Sequence, residues 1–319
     1  VKNYFLAGLV FLLTFLTGCN QTEFTKIKED SFLFTLNLRD SSLTFINEDR
    51  EVFADWAFDE LYTGGVLFPD HDKLLLYGTQ LDHADLYSLK KGKKIAEWSV
   101  AEGTTGGIYV NQTKEIALAN KQDRSVHFFN DTGEETGVVK TGKYPMTLAE
   151  EKGMLYVINY QDTILSKVDP KTKKVSKEYT IPSSSTGLFV DSSKDELWVG
   201  GHGRGKEPQK NVLIYSLKTG KEKSVLEAPV MPVDFLRDDR NYYVVSHGTS
   251  KIYMYNHLKE KTKETETGSN PFAIEEFHFS LAVASYDSDE LFFLDPNSLA
   301  LEKKVKTGKG PFIIFKKEQ

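Results

Sequence analysis

The sequence predicts an all-β fold built from one unit repeated seven times around a closed ring. Three observations carry that prediction. Apolar runs are four to seven residues long, rich in Val, Ile, Phe and Tyr, and broken by turn residues; runs of that length and composition form strands rather than amphipathic helices. The runs recur in sets of four, spaced 38 to 45 residues apart. The two ends of the repeated region hold complementary fractions of one set.

The first run of each set opens on a small residue or proline: GVLF at Gly65, GIYV at Gly107, PMTL at Pro145, GLFV at Gly187, PVDF at Pro232, PFAI at Pro271 and PFII at Pro311. Proline at the head of a run suits an innermost strand, whose free edge needs no ladder donor there. A second run follows about ten residues later in six sets: LLLYG (74–78), IALAN (116–120), LYVINY (155–160), LWVGG (197–201), YYVVSH (242–247) and LAVASY (281–286). A polar corner separates it from a third run, such as ADLYSL (84–89) or KIYMYN (251–256). After a turn rich in Gly, Pro, Asp, Asn or Lys, a fourth run closes the unit, such as KIAEWSV (94–100) or KVSKEYT (174–180).

Four short strands per unit, at this period, are the pattern of propeller blades. Past Pro311 the chain offers one strand, whereas Phe32 to Phe58 offers three, FLFTLNL, LTFIN and VFADWAF. One and three complete a blade. Residues 31–319 therefore read as a seven-bladed β-propeller closed by pairing of the C-terminal strand with the N-terminal blade, which removes exposed sheet edges. Trp56, Trp98 and Trp198 are expected to pack between blades, where large rings fill the wedge.

Within this pattern, Tyr156-Val157-Ile158-Asn159, Val168-Asp169, the Lys-Thr-Lys-Lys-Val of 171–175 and the Thr-Gly-x-x-Pro of 141–145 resemble the YVTN-type β-propeller repeat. Weaker copies lie at 242–271 and 281–311. The resemblance implies the fold and leaves function open, because the architecture hosts binding proteins and enzymes alike.

The N-terminus reads VKNYFLAGLVFLLTFLTGCN. Its apolar run, Tyr4 to Leu16, is shorter than the roughly 20 residues a bilayer span requires but fits a secretory signal. Leu16-Thr17-Gly18-Cys19 resembles a bacterial lipoprotein signal box. That resemblance implies cleavage of residues 1–18, a diacylglyceryl thioether on Cys19, and anchoring at the extracytoplasmic face of the cell membrane. Residues 19–30 then form the lipidated end and a polar tether. Cys19 is the sole cysteine, so disulfides, thiolate metal sites and cysteine nucleophiles drop out. Without residues 1–18 the chain has 39 basic and 46 acidic residues, a net charge of −7, which argues against nucleic acid as a partner.

Chemistry is expected on the face made by the connections between second and third strands and those entering each first strand. The candidate binding face comprises Asp82, His83, Arg124, Asp162, His202, Arg204, His247 and Asp287, with Arg39, Tyr160 and Tyr286 beside them. The longest insertion, GGHGRGKEPQKN at 200–211, places His202 and Arg204 where they could meet a carboxylate or phosphate, yet lacks the Gly-Lys-Ser/Thr ending of a phosphate-binding loop. His83, His202 and His247 occupy equivalent corners, but of blades 2, 5 and 6, so no metal site is expected from them. The Asp residues at 82, 123, 162 and 287 read as corner residues that bond their own backbone. Glu275 and His278 are expected at the channel or in a surface turn. No catalytic set and no cofactor emerges. The expected role is a binding or scaffold module for an envelope protein, a peptide or a cell-wall ligand. The alternative is a propeller enzyme of lactonase or lyase type, or a quinoprotein-dehydrogenase-like subunit.

Overall fold

A computed structural model describes residues 23–204 and 206–318. Seven four-stranded antiparallel sheets form the ring, with a two-stranded hairpin added in blade 5. The innermost strands are Pro311–Lys317 in blade 1, Gly64–Leu67, Thr104–Val110, Pro145–Glu151, Ser185–Asp191, Pro232–Arg237 and, in blade 7, Pro271–Phe277. Each begins within three residues of the Gly or Pro that marks its run. The segment expected to be a signal peptide, residues 1–18, and Cys19 lie outside the described residues. Among the described residues no helix is long and apolar enough to cross a membrane.

Closure is as predicted. Pro311–Lys317 pairs antiparallel with Phe32–Asn37, setting Phe315 opposite Phe34 and Ile314 opposite Thr35. Phe34 is fully buried and stacks on Phe315 and on Phe45, each at 4.9 Å. The N-terminal and C-terminal strands are thereby joined by both ladder bonds and ring contacts.

Seven apolar clusters form the core, one at each junction between blades. A middle strand is covered on both faces by neighbouring blades, so Glu196–Gly201 and Ser280–Ser285 are buried throughout. An outer strand keeps one face in water, so Lys174–Thr180 alternates toward a single buried position, Tyr179. Trp56, Trp98 and Trp198 fill the junctions between blades 1 and 2, 2 and 3, and 5 and 6, as expected.

One expectation shifts. The tether read over 19–30 is packed from Phe24 onward. Phe24 N–H donates to the Gly92 carbonyl at 2.7 Å, and Ile27 N–H to the Leu89 carbonyl at 3.0 Å. Trp56 Nε1 donates to the Thr25 carbonyl at 2.9 Å, and the Phe24 ring stacks on Trp56 at 4.8 Å. Ile27 is only 2% exposed. Two apolar residues within a polar stretch set up no periodicity, so the strap was not legible in the pattern.

A repeated corner builds the upper face. The residue before the inner strand is left-handed at Gly103, Tyr144, Ser184, Met231, Asn270 and Gly310, with φ between 54° and 96°. Its carbonyl accepts from the residue that follows the second strand, respectively Lys121, Tyr160, His202, His247, Tyr286 and Leu38, at 2.8–3.0 Å. This bond fixes one side chain per blade at the upper end of the channel. Blade 2 departs from it: Thr79 N–H donates instead to the Thr63 hydroxyl at 3.1 Å.

Candidate functional site: the upper mouth of the channel

The column fixed by this corner reads Leu38, Thr79, Lys121, Tyr160, His202, His247 and Tyr286 around the ring. Four consecutive blades, 4 to 7, place rings there. With Tyr144 before the blade 4 inner strand and Phe272 within the blade 7 inner strand, the rings form a crescent. Centroid separations run from Tyr144 to Tyr160 at 5.7 Å, Tyr160 to His202 at 6.5 Å, His202 to His247 at 5.5 Å and His247 to Phe272 at 4.3 Å. Phe272 then meets Tyr286 at 5.7 Å and Phe312 at 4.8 Å. Cations close both ends: Lys121 Nζ lies 5.4 Å from the Tyr144 centroid, and Arg39 Cζ 5.3 Å from that of Tyr286.

His202 and His247 are half-buried, and their Nδ1 atoms are buried without a hydrogen-bond partner among the described residues. Burial pushes both imidazoles below the usual histidine range; the neighbouring His202 lowers His247 further, against a smaller opposing pull from Asp287. The pair is therefore neutral at pH 7. Neither ring bonds a carboxylate among the described residues, so no general-base dyad forms there.

The other predicted residues surround this crescent without joining it. Asp162 accepts from Thr163 N–H at 2.8 Å and Lys143 N–H at 3.2 Å, the corner role expected of it. Asp287 accepts from the Asn270 side-chain amide and lies 3.6 Å from Arg39. Arg124 has φ 58°, and its carbonyl accepts from Thr141 N–H. Arg204 belongs to the short hairpin Gly203–Arg204 with Glu207–Pro208, where its Nε donates to the Ser183 hydroxyl at 2.7 Å. That hairpin borders a groove of about 590 Å³ lined by Ile181, Pro182, Leu213 and Gln209.

Asp82 and His83 lie in blade 2, outside the crescent, bonded to each other at 3.1 Å. Ligand atoms of His83, Asp85 and Glu97 fall within 4.8 Å of one another. Lys94 already occupies that cluster, with Nζ 3.1 Å from Asp85 and 3.0 Å from Glu97, so the carboxylates are neutralised by the chain itself. His83 belongs to blade 2, whereas His202 and His247 bring their rings to 5.5 Å from each other.

Sequence reasoning missed three features. Phe272 and Phe312 fall inside the first runs PFAI and PFII and Tyr144 carries no sequence assignment, although the repeated Pro-Phe pairs at 271–272 and 311–312 are a usable signal. Asp234, in the blade 6 inner strand, bridges to blade 7: its carboxylate accepts from Phe235 N–H at 2.9 Å and Ile274 N–H at 3.0 Å. Burial pushes this carboxyl up to about 7, and Glu275 adds to the rise. Third, Ser125, His127 and Glu135 are joined by bonds of 2.9 and 2.7 Å, superficially a nucleophile, base and acid. Ser125 is fully buried and its hydroxyl donates to Asp123, so the cluster clamps the outer strands of blade 3. Of the two residues expected at the channel or in a surface turn, Glu275 faces the lower opening beside Lys316, whereas His278 sits in the adjoining turn and meets the Ser31 hydroxyl at 2.5 Å.

No family model matches the chain, and no curated protein matches its sequence. Solved structures do share its fold. Kuenenia stuttgartiensis hydrazine synthase superposes with a TM-score of 0.73 at 14% identity, over 88% of this chain and 99% of that one. A functionally unknown protein from Desulfotomaculum acetoxidans gives 0.72 at 10% identity, over 89% and 98%. Citrobacter koseri AztD gives 0.61 at 11% identity, over 90% and 98%. At such identities these likenesses establish the propeller and nothing of its chemistry.

Proposed function

We propose that this chain is a lipid-anchored, extracytoplasmic binding module of YVTN-repeat type. Diacylglyceryl on Cys19 holds it to the cell membrane, and the upper mouth receives an envelope protein, peptide or cell-wall ligand. One observation carries the reading: the structurally fixed column presents rings in four successive blades, at a mouth where polar side chains are the ordinary choice for a solvated surface. Convergent aromatic side chains with a few neutral polar groups are the usual make-up of a ligand site. The lactonase or lyase alternative requires a carboxylate–imidazole arrangement, which the described residues of the crescent do not offer.

Two measurements test the proposal. Cys19→Ser should release the protein from membranes into the soluble fraction; retention would overturn the anchor. Hydrogen exchange of the full chain, with and without a digest of cell envelope, should show protection at 202, 247 and 286 and none at the lower turns. Protection confined to the lower turns would overturn the mouth as the binding surface.

A further inference from the structure

Among the described residues Phe279 is the most exposed large apolar side chain, at 89%. It stands in the two-residue turn that joins Pro271–Phe277 to Ser280–Ser285 at the lower end of blade 7. His278 and Phe279 are both left-handed there, with φ of 42° and 60°. Such a turn suits the twist of the flanking strands but favours Asn and Gly, and a bulky side chain is strained in it. Blade 4 has the same turn and fills it with Lys152 and Gly153, at φ 47° and 72°. Blade 7 carries a phenyl ring where blade 4 has glycine, and leaves it in water.

The turn itself is pinned by its neighbours. The His278 ring packs edge-on against Phe277 at 4.5 Å, and its Nε2 meets the Ser31 hydroxyl at 2.5 Å. The His278 N–H donates to the Glu318 carboxylate at 2.7 Å. Strain held in place this firmly, on a ring that packs against nothing, fits a role outside the fold. Ser31 ends the strap that begins at Phe24 on the Gly92 turn. The turns at 92 and 278–279 both belong to the lower face, so Phe279 shares the face by which the chain from Cys19 enters the ring. Leu258, 65% exposed in the turn between Lys251–Asn256 and Lys261–Glu266, adds a second apolar side chain to that face.

We infer that the lower face is a membrane-contact surface, with Phe279 inserted at the boundary between lipid headgroups and acyl chains. Apolar side chains gain by burial at that depth. Charge does not drive the contact: Glu48 lies 3.7 Å from His278, with Glu318 beside it, and acidic groups are repelled by anionic headgroups. A stable protein partner needs upwards of about 1,000 Å² of matched surface, whereas a bilayer already tethered at Cys19 needs only a point of entry. The inference rests on the lipid-anchor part of the proposed function and adds the side chain that meets the lipid.

The test uses the full chain, made in a bacterial host and reconstituted from its membranes into phosphatidylcholine vesicles with brominated acyl chains, which quench tryptophan. Phe279→Trp should lose most of its added emission there. Leu61→Trp, at a site 62% exposed on the upper rim, should keep its own. Trp56, Trp98 and Trp198 are buried and give a constant background. Adding phosphatidylglycerol to the vesicles should change neither result. In the Cys19→Ser background, free of lipid, Phe279→Gly should raise the thermal midpoint by about 2 °C by relieving the left-handed strain. A vesicle-bound chain in which Phe279→Trp escapes quenching, or in which both tryptophans are quenched alike, overturns the inference and leaves the anchor standing. A shift in Phe279→Trp emission seen only with other envelope proteins overturns the lipid surface in favour of a protein partner. A midpoint unchanged or lowered in Phe279→Gly shows that the ring serves the fold, and also overturns the inference. A chain that never joins the vesicles brings down the anchor, and the inference with it.

Discussion

The two ends of the channel are lined by the same seven inner strands but differ in the side chains they present. At the lower end, Glu150 accepts three bonds from Asn111 and Gln112 at 2.8–3.0 Å, and Glu151 accepts from Ser192. Lys316 lies 3.1 Å from Glu275 and 3.3 Å from Glu318, and Arg237 pairs with the buried Asp191. Charges there are numerous and answered within the chain. At the upper end, rings line blades 4 to 7 and charges flank them, Lys121 beside Tyr144 and Arg39 beside Tyr286 and Asp287.

Four substitutions break or sharpen that contrast. The largest effect belongs to the closure on which both ends depend. Phe34→Ala removes a buried ring stacked between Phe45 and Phe315, and should cost about 3–5 kcal/mol in chemical denaturation; a loss under 1 kcal/mol would mean the terminal seam does not hold the ring. Next, Arg237→Ala should cost about 1.5 kcal/mol, because Asp191 loses the partner of one carboxylate oxygen while Ser193 and Lys194 still bond the other. At the upper end the sign reverses. Ser285→Ala deletes an unmatched hydroxyl and should raise stability by about 1 kcal/mol in the absence of ligand; a loss of similar size would show that the hydroxyl is matched after all.

The smallest effect lies in pH dependence, where the histidine pair and Asp234 run in opposite senses. Folding lowers the imidazole values of His202 and His247, so their contribution is present above the unfolded value near 6.5 and fades as pH falls below it. Folding raises Asp234 from 3.8 to about 7. Its contribution is full below 3.8 and is lost as pH climbs through 7. Denaturation midpoints measured from pH 5 to 8 should therefore fall less steeply toward pH 8 in Asp234→Asn than in the wild type. Parallel curves would remove Asp234 from the account.

The ring itself was legible from sequence because blade repetition samples the same physics seven times. Each inner run starts with Gly or Pro, each middle run is apolar on both faces, and the unequal ends leave one way to close. The site was legible in part. Tyr160, His202, His247 and Tyr286 stand out because each ends a second run, at a position the repeated corner holds. Tyr144, Phe272 and Phe312 did not, because an aromatic residue in or beside a strand ordinarily signals core packing. Asp82, Arg124, Asp162 and Asp287 share the face but shape or brace its corners, a role that composition alone cannot separate from ligand contact. The unmatched state of Ser285 and Gln209 depends on three-dimensional neighbours and leaves no trace in residue order.

The docked strap at Phe24 has a further consequence for an anchored molecule. It ends at the Gly92 turn, on the face opposite the mouth, and only five residue steps separate Phe24 from Cys19. Fully stretched, those steps reach about 17–18 Å, short of a long leash. With acyl chains at Cys19, the underside would rest near the lipid headgroups and the crescent would look outward. Visitors would then come from the wall side, and neighbours embedded in the bilayer would touch only the rim.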